Sequence, residues 1–259
     1  MPFAMIANRR IAYRSIPGAS GRPPLVFLHE GLGSAELWRD FPDAVAARLG
    51  ARALIYSRFG YGHSDGLEGK RTPRFMHEEA LAVVPALLDQ TGIESPLLIG
   101  HSDGASIALI YAAAAGRPVA GLVLMAPHSF VEPVCLESIA KIRATYCASA
   151  GDASGLRSRL AKYHARVDDA FLGWADAWLA PEFRTWSIED LTSAVTAPML
   201  LIQGSDDEYG TLAQLDSIEA RARAPVARLV LTNCGHAPHR DRESEVLEAI
   251  VAFARKEPQ

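Results

Sequence analysis

Short, unbroken apolar runs alternate with longer stretches of helical spacing along most of this chain. The runs are Leu25-Val26-Phe27-Leu28, Ala53-Leu54-Ile55-Tyr56, Leu97-Leu98-Ile99, Gly121-Leu122-Val123-Leu124-Met125, Pro198-Met199-Leu200-Leu201-Ile202 and Ala227–Leu231. Strands of a parallel sheet read this way, because helices cover both faces and neither side needs polar residues. The stretches between them predict helices over Leu37–Leu49, Phe75–Gly92, Asp103 to about Ala115, Leu212–Ala222 and Val246–Ala254. Gly50 and Gly92 read as stops for the first two. Pro85 predicts a kink, since proline has no N–H to give the helix. Near the N-terminus Arg10, Ala12 and Arg14 alternate with Ile11, Tyr13 and Ser15, and a polar turn at Asn8-Arg9-Arg10 predicts a hairpin over Met5–Ile16. Pro17–Pro24 reads as a loop. Strands and helices in alternation predict an α/β fold, a doubly wound, mainly parallel sheet of about eight strands with helices on both faces.

Between Val131 and Val195 the rhythm changes. No strand-like run occurs there, and Ile139, Ile142 and Tyr146, then Phe171, Trp174 and Trp178, recur at helical spacing. The spacing predicts a helical insertion, residues 131–195, in a core made of residues 1–130 and 196–259.

Composition narrows the partners. The 259 residues are 49% hydrophobic and 22% charged, enough for a large core, with a formal net charge of -4 and no basic run. Nucleic acid and anionic membrane surfaces are therefore not expected partners. Cys135, Cys147 and Cys234 stand far apart without a C-x-x-C spacing, as buried thiols of a reducing compartment would, and suggest neither zinc nor disulfides. Met1–Ile6 lacks the basic-then-apolar pattern of a secretory signal. No apolar stretch reaches the ~20 residues of a membrane span. These features set the expectation of a cytoplasmic protein.

The chemistry concentrates where the Leu97 run ends, in Gly100-His101-Ser102-Asp103-Gly104. A strand that turns sharply into a helix around a serine strains that serine's backbone, so the residues two before and two after it must be small. Ser102 would then project from the turn beside the N-terminal end of the helix. In functional sheets of this kind the reactive groups gather at strand exits. Downstream of Ser102, Gln203-Gly204-Ser205-Asp206-Asp207-Glu208 offers carboxylates and Asn233-Cys234-Gly235-His236 offers an imidazole. A serine hydroxyl is a poor nucleophile until an imidazole takes its proton, and the imidazole needs a carboxylate to fix its tautomer. His236 is the candidate base, because it follows a strand directly and Gly235 lets its loop turn back. Asp206 and Asp207 both stand as the acid, being adjacent and pointing different ways; Asp216 and Glu132 are weaker alternatives. His239, beyond Pro238, reads as a surface residue. His101 is expected to pack beside the nucleophile, His29 to pin its own loop, and His128 to line the site, while His63, His77 and His164 read as structural. The charge that develops on a carbonyl oxygen needs two backbone N–H groups. One is Asp103; the other comes from the glycine-rich exit after Leu28.

These segments together resemble the α/β-hydrolase superfamily over nearly the whole chain. The resemblance rests on His29-Glu30-Gly31-Leu32-Gly33, Arg58-Phe59-Gly60-Tyr61-Gly62-His63-Ser64, Gly100–Gly104, Gly204-Ser205-Asp206-Asp207 and Gly235-His236. It implies Asp207 as the acid, the last position of the family's Gly-x-x-Asp. It implies Gly31 as the first oxyanion donor, the third position of a His-Gly-x-x-Gly loop. The chain departs from that loop at Glu30, which makes Leu32 an alternative donor, and carries Ser57 where many relatives have Asp. Residues 131–195 match the family's helical lid. Relatives that attack with aspartate are excluded, because the places flanking Asp103 at minus two and plus two hold His101 and Ala105. The family's chemistry then implies a Ser102 acyl intermediate, no metal and no organic cofactor.

Tyr163, Phe171, Trp174, Trp178, Phe183 and Trp186 lie in the insertion and either cover an apolar pocket or pack the insertion's own core. Glu30, Leu32, His128, Trp174 and Trp178 are the candidate substrate-binding residues. The pattern points to a small-molecule substrate, a hydrophobic carboxylic ester or lactone. The Ser102-Asp103-Gly104 elbow is also similar to the valacyclovir hydrolase type, so the Asp103 carboxylate either holds a substrate ammonium or caps the helix that follows. A carbon–carbon hydrolase of ring-cleavage products and a slow-turnover ligand receptor share the same frame and stand as alternatives. The oligomeric state is not legible.

Overall fold

The apolar runs become strands of one sheet in a computed structural model that describes residues 1–256. They are β1 (Phe3–Ile6), β2 (Arg9–Ile16), β3 (Leu25–Leu28), β4 (Ala53–Tyr56), β5 (Leu97–His101), β6 (Gly121–Met125), β7 (Met199–Gly204) and β8 (Val226–Leu231). Their order is β1-β2-β4-β3-β5-β6-β7-β8. β1 and β2 run antiparallel to their neighbours, and the other pairings are parallel. The N-terminal hairpin turns one residue earlier than its polar residues suggest, at Ala7 and Asn8, whose φ values are 49° and 63°. Two successive positive φ values match the twist of a two-residue hairpin, and that geometry outweighed the polar cluster.

Helices α1 (Phe41–Leu49), α2 (Phe75–Glu78), α3 (Val84–Thr91), α4 (Asp103–Ala114) and α5 (Pro133–Ala148) follow in order, then α6 (Leu156–Leu160), α7 (Val167–Leu179), α8 (Ala213–Arg221), α9 (Pro238–Asp241) and α10 (Glu243–Lys256). Helix α1 starts four residues later than its apolar pattern, with Pro42 in its first turn, where the missing N–H costs nothing. Pro85 acts through a π-helical turn at Glu79–Val83, between α2 and α3, which widens the hydrogen-bonding register just before the proline. The two faces of the sheet feed separate cores. Leu25, Phe27, Ile55, Ile99 and Val123 pack toward α1 and α10. Val26, Leu28, Leu98, Leu122 and Leu124 pack toward α4, the first turns of the Phe75 helix and the insertion. Helix α4 is buried on nearly every side from Asp103 to Tyr111, so the segment carrying the candidate nucleophile is the most enclosed helix of the fold.

Between β6 and β7 the chain forms α5, α6 and α7 and two 3₁₀ turns, Pro181–Thr185 and Glu189–Ala194, with no strand. Its aromatics join the α4-side core. Tyr146 stacks on Phe171 with ring centroids 3.8 Å apart, and Phe183 stacks on Trp186 at 5.3 Å. Phe171, Phe183 and Trp186 therefore pack the interior, and Tyr163 is half-buried.

Candidate active site

At the end of β5 the chain reverses into α4 through Ser102, whose φ of 53° and ψ of -119° lie outside the regions an L-residue favours. Such strain persists only where the surroundings enforce it. Glycines allow the approach: a Cβ on Gly100 would overlap the backbone of Gly104 and Ala105, and one on Gly104 would overlap the carbonyls of Leu28 and His29. The Ser102 hydroxyl does not cap its helix. It lies 2.9 Å from Nε2 of His236, whose Nδ1 lies 2.8 Å from Oδ1 of Asp207. Three groups from three strand exits thus make one chain of hydrogen bonds.

Asp207, not Asp206, faces the imidazole. Asp206 is exposed and accepts from the Ser205 hydroxyl, whereas Asp207 Oδ1 also accepts the N–H groups of Tyr209 and Gly210. Burial would raise the Asp207 carboxyl, but the His236 charge and these hydrogen bonds outweigh it and hold it below its usual range. Burial would lower His236, yet the Asp207 carboxylate overcomes this and holds the imidazole above 6.5. Asp216 pairs with Arg228, and Glu132 accepts from Thr211 and Gln214, so neither reaches His236.

The loop after β3 closes the other side. A Cβ at Gly31 would overlap the Trp174 indole, so this backbone lies directly against α7. The Gly31, Leu32 and Asp103 amides find no acceptor among the described residues and are free to serve an incoming oxygen. Glu30 sits where its carboxylate is 3.5 Å from His101 Nδ1 and 3.3 Å from Arg240. Burial would raise the Glu30 carboxyl, but the neighbouring His101 imidazole and Arg240 guanidinium hold it well below the usual carboxylate range. His101 Nε2 in turn donates to the His236 carbonyl at 2.6 Å, so it braces the loop of the candidate base as well as lying beside the nucleophile.

Glu30, Leu32, His128, Trp174 and Trp178 all line one cavity of 380 Å³ that contains Ser102 and His236, together with Cys135, Ile139 and Leu160. His128 is buried, its Nδ1 has no partner among the described residues, and burial lowers its pKa to about 3, so it is a neutral polar group in a wall that combines Ile139, Leu160, Trp174 and Trp178 with the charged Glu30, Glu208, Arg240 and Asp241. A larger depression of 1040 Å³ lies at the opposite ends of the strands, near Leu25 and Leu97, and includes none of these residues. Chemistry, not size, selects the cavity.

Two residues differ from their sequence reading, and a third ties distant segments together. His239 is no surface residue: it is buried against Trp38, Phe41 and His101, at centroid distances of 4.8, 5.5 and 4.9 Å. The Asp103 carboxylate neither caps α4 nor faces open space. Its Oδ1 accepts the Trp178 indole N–H at 3.1 Å, and its Oδ2 lies 3.4 Å from Arg58 in an ion pair that is almost wholly buried. His164 has a structural place: it receives the Gly62 N–H on Nδ1 and lies 3.1 Å from the Leu32 carbonyl, tying the insertion to the loop after β3.

Known proteins share this frame. The family model described as alpha/beta hydrolase fold matches residues 23–147. A proline iminopeptidase of Lactobacillus delbrueckii subsp. lactis is 29% identical over 111 residues, which are 43% of this chain and only 37% of that protein. The sn-1-specific diacylglycerol lipase of Mus musculus is 22% identical over 267 aligned positions, covering 94% of this chain and 84% of the lipase. The crystal structure of the enol-lactonase from Burkholderia xenovorans superposes with a TM-score of 0.78 at 18% identity, over 98% of this chain and 100% of that one. At that identity the superposition speaks for the fold alone. Among the described residues no helix is long and apolar enough to cross a membrane.

Proposed function

The chain belongs to the α/β-hydrolase superfamily, and from that premise we propose that it is a serine hydrolase of small, hydrophobic carboxylic esters or lactones. One observation carries the reading. The hydroxyl of a strained serine stands at the start of a Ser102–His236–Asp207 relay, with contacts of 2.9 and 2.8 Å, and opens into a cavity with an apolar side formed by Ile139, Leu160, Trp174 and Trp178. In this reading His236 takes the Ser102 proton as Oγ attacks the acyl carbon. The carbonyl oxygen gains negative charge and is received by the Gly31 and Asp103 amides. His236 then gives its proton to the leaving alkoxide, and the acyl-enzyme is hydrolysed by a water activated the same way. Residues 131–195 act as a lid, bringing Trp174 and Trp178 over the acyl group. The relatives named above, a diacylglycerol lipase and an iminopeptidase, are consistent with acyl chemistry and leave the acyl group open.

A panel of p-nitrophenyl esters of increasing acyl length, run with wild type and Ser102→Ala, tests this. Ser102-dependent turnover that peaks at short or medium acyl chains is expected; tight binding with one slow turnover would mark a receptor instead. The Asp103 carboxylate is engaged by Arg58 and Trp178, so it is not available to a substrate ammonium. Alanine esters and their N-acetyl analogues are therefore expected to be cleaved at similar rates, and a strong preference for the free amine would contradict this placement.

The pH profile follows from His236. Only neutral imidazole accepts the Ser102 proton, and Asp207 raises the pKa at which it becomes neutral. The kcat/KM is expected to rise with pH through an inflection above 6.5, with no second acid-side inflection from Asp207 in the ordinary carboxylate range. An inflection at or below 6.5 would contradict the coupling.

A further inference from the structure

We propose that Arg58 is a positioning residue that holds both halves of the oxyanion hole in register. The proposal rests on the serine-hydrolase reading above and assigns a role to a side chain that reading does not use. Arg58 is 1% exposed, an unusual fate for a guanidinium unless it is fully paired. Its Nη2 donates to the Glu30 carbonyl oxygen at 2.8 Å. That oxygen also accepts from His29 Nδ1 at 2.7 Å and from the Gly33 amide at 3.1 Å. His29 Nδ1 carries the proton, because its Nε2 accepts the Arg58 backbone N–H at 3.1 Å, and burial keeps the imidazole neutral.

The Glu30 carbonyl and the Gly31 N–H are opposite edges of one planar peptide unit. Three donors that fix the carbonyl therefore also aim the N–H, and a cationic donor among them polarises it toward greater acidity. The same guanidinium reaches Asp103 Oδ2, at 3.4 Å from both Nη1 and Nη2. Asp103 supplies the second amide of the hole. Trp178 Nε1 holds the other oxygen of that carboxylate, and the Arg58 guanidinium lies over the Tyr61 ring at 4.6 Å. One planar fork thus joins the peptide of the first donor to the side chain of the second, and both to the insertion. Preorganised donors are worth most when they need not move as charge develops. Lysine cannot span two acceptors in this way.

The test uses the full chain in three forms besides wild type: Arg58→Lys, Arg58→Met combined with Asp103→Asn so that no carboxylate is left facing a lost guanidinium, and Ser102→Ala. An alkyl trifluoromethyl ketone is the probe. Ser102 Oγ adds to its carbonyl carbon, the hydroxyl proton passes to His236, and the carbonyl oxygen becomes an oxyanion in the hole. The double variant is expected to lose about 10²- to 10³-fold in kcat, the cost of one oxyanion donor. Its affinity for the ketone is expected to fall by a similar factor, while KM and the affinity for the product acid change less than threefold. Arg58→Lys is expected to fall between the double variant and wild type. Folded Arg58 variants that bind the ketone as wild type does would overturn the role of Arg58 alone. So would a parallel loss of KM, product and ketone binding, which is what a merely structural arginine predicts. Wild type that binds the ketone no better than Ser102→Ala would overturn the serine-hydrolase reading, and the role of Arg58 with it.

Discussion

Replacing Ser102 by alanine is expected to lower kcat by on the order of 10⁶-fold, the loss seen when a relay of this kind is deprived of its nucleophile. The structure makes so large an effect reasonable. Among the described residues no second hydroxyl lies within hydrogen-bonding distance of His236 Nε2, whose partner is Ser102 Oγ. The strained backbone at φ 53° is enforced by Gly100, Gly104 and the β3 exit, not by the side chain, so alanine inherits the same conformation. Thermal unfolding should therefore change little, and KM should stay close to the wild-type value. Residual turnover within a hundredfold of wild type, measured with the best ester of the panel, would show that the acyl group is attacked from elsewhere.

The second large effect is expected at Asp207. Asp207→Asn keeps the shape of the side chain but offers an amide where the imidazole N–H needs an acceptor, which favours the wrong tautomer of His236. A fall in kcat of about 10⁴-fold is expected. The variant also carries a sign. In wild type the carboxylate holds His236 above 6.5 against a burial effect that lowers it. Without that charge burial prevails, so the acid-side inflection of the residual activity should move downward. Asp206→Asn, by contrast, alters an exposed carboxylate that bonds only to Ser205 among the described residues, and should leave both kcat and the profile near wild type. If Asp206→Asn and Asp207→Asn were equally impaired, the assignment of the acid would be wrong.

What the sequence revealed depended on how local the cause was. The elbow was legible because its requirement for small residues lies within five positions, and the parallel sheet because each strand is an apolar run bounded by turn residues. Even the distinction between Asp206 and Asp207 needed more than local pattern: it followed from family resemblance, and the geometry agrees with it. Residues whose surroundings come from distant segments were read less well. His239 looks polar and loop-bound in sequence, yet Trp38, Phe41 and His101 converge on it from other parts of the fold. His164 stands 132 positions from the Leu32 carbonyl it meets, and no periodicity links the two. Arg58 and Asp103 are 45 positions apart. Each belongs to a recognisable motif, but nothing in either motif says that their side chains pair. Glu30 was visible as a departure from its loop pattern; its contacts with His101 and Arg240 were not.

The insertion illustrates a mixed case. Ile139, Ile142 and Tyr146 fall in α5 and Phe171, Trp174 and Trp178 in α7, while the abundance of aromatics leaves open in the sequence whether they face a substrate or one another. The structure divides them. Phe171, Phe183 and Trp186 fill the core, whereas Trp174 and Trp178 reach the cavity. Trp178 does so while its indole N–H is committed to Asp103, so its ring presents a fixed apolar surface to the site.

Covalent trapping measures most directly whether Ser102 is an activated nucleophile. Wild type incubated with an alkyl fluorophosphonate at neutral pH, digested and mapped by mass spectrometry, should carry one phosphonyl group per chain, on Ser102. His236→Ala should react far more slowly, and Ser102→Ala should remain unmodified. A folded wild-type chain that stays unlabelled, or that is labelled on another residue while Ser102 remains free, would contradict the central claim.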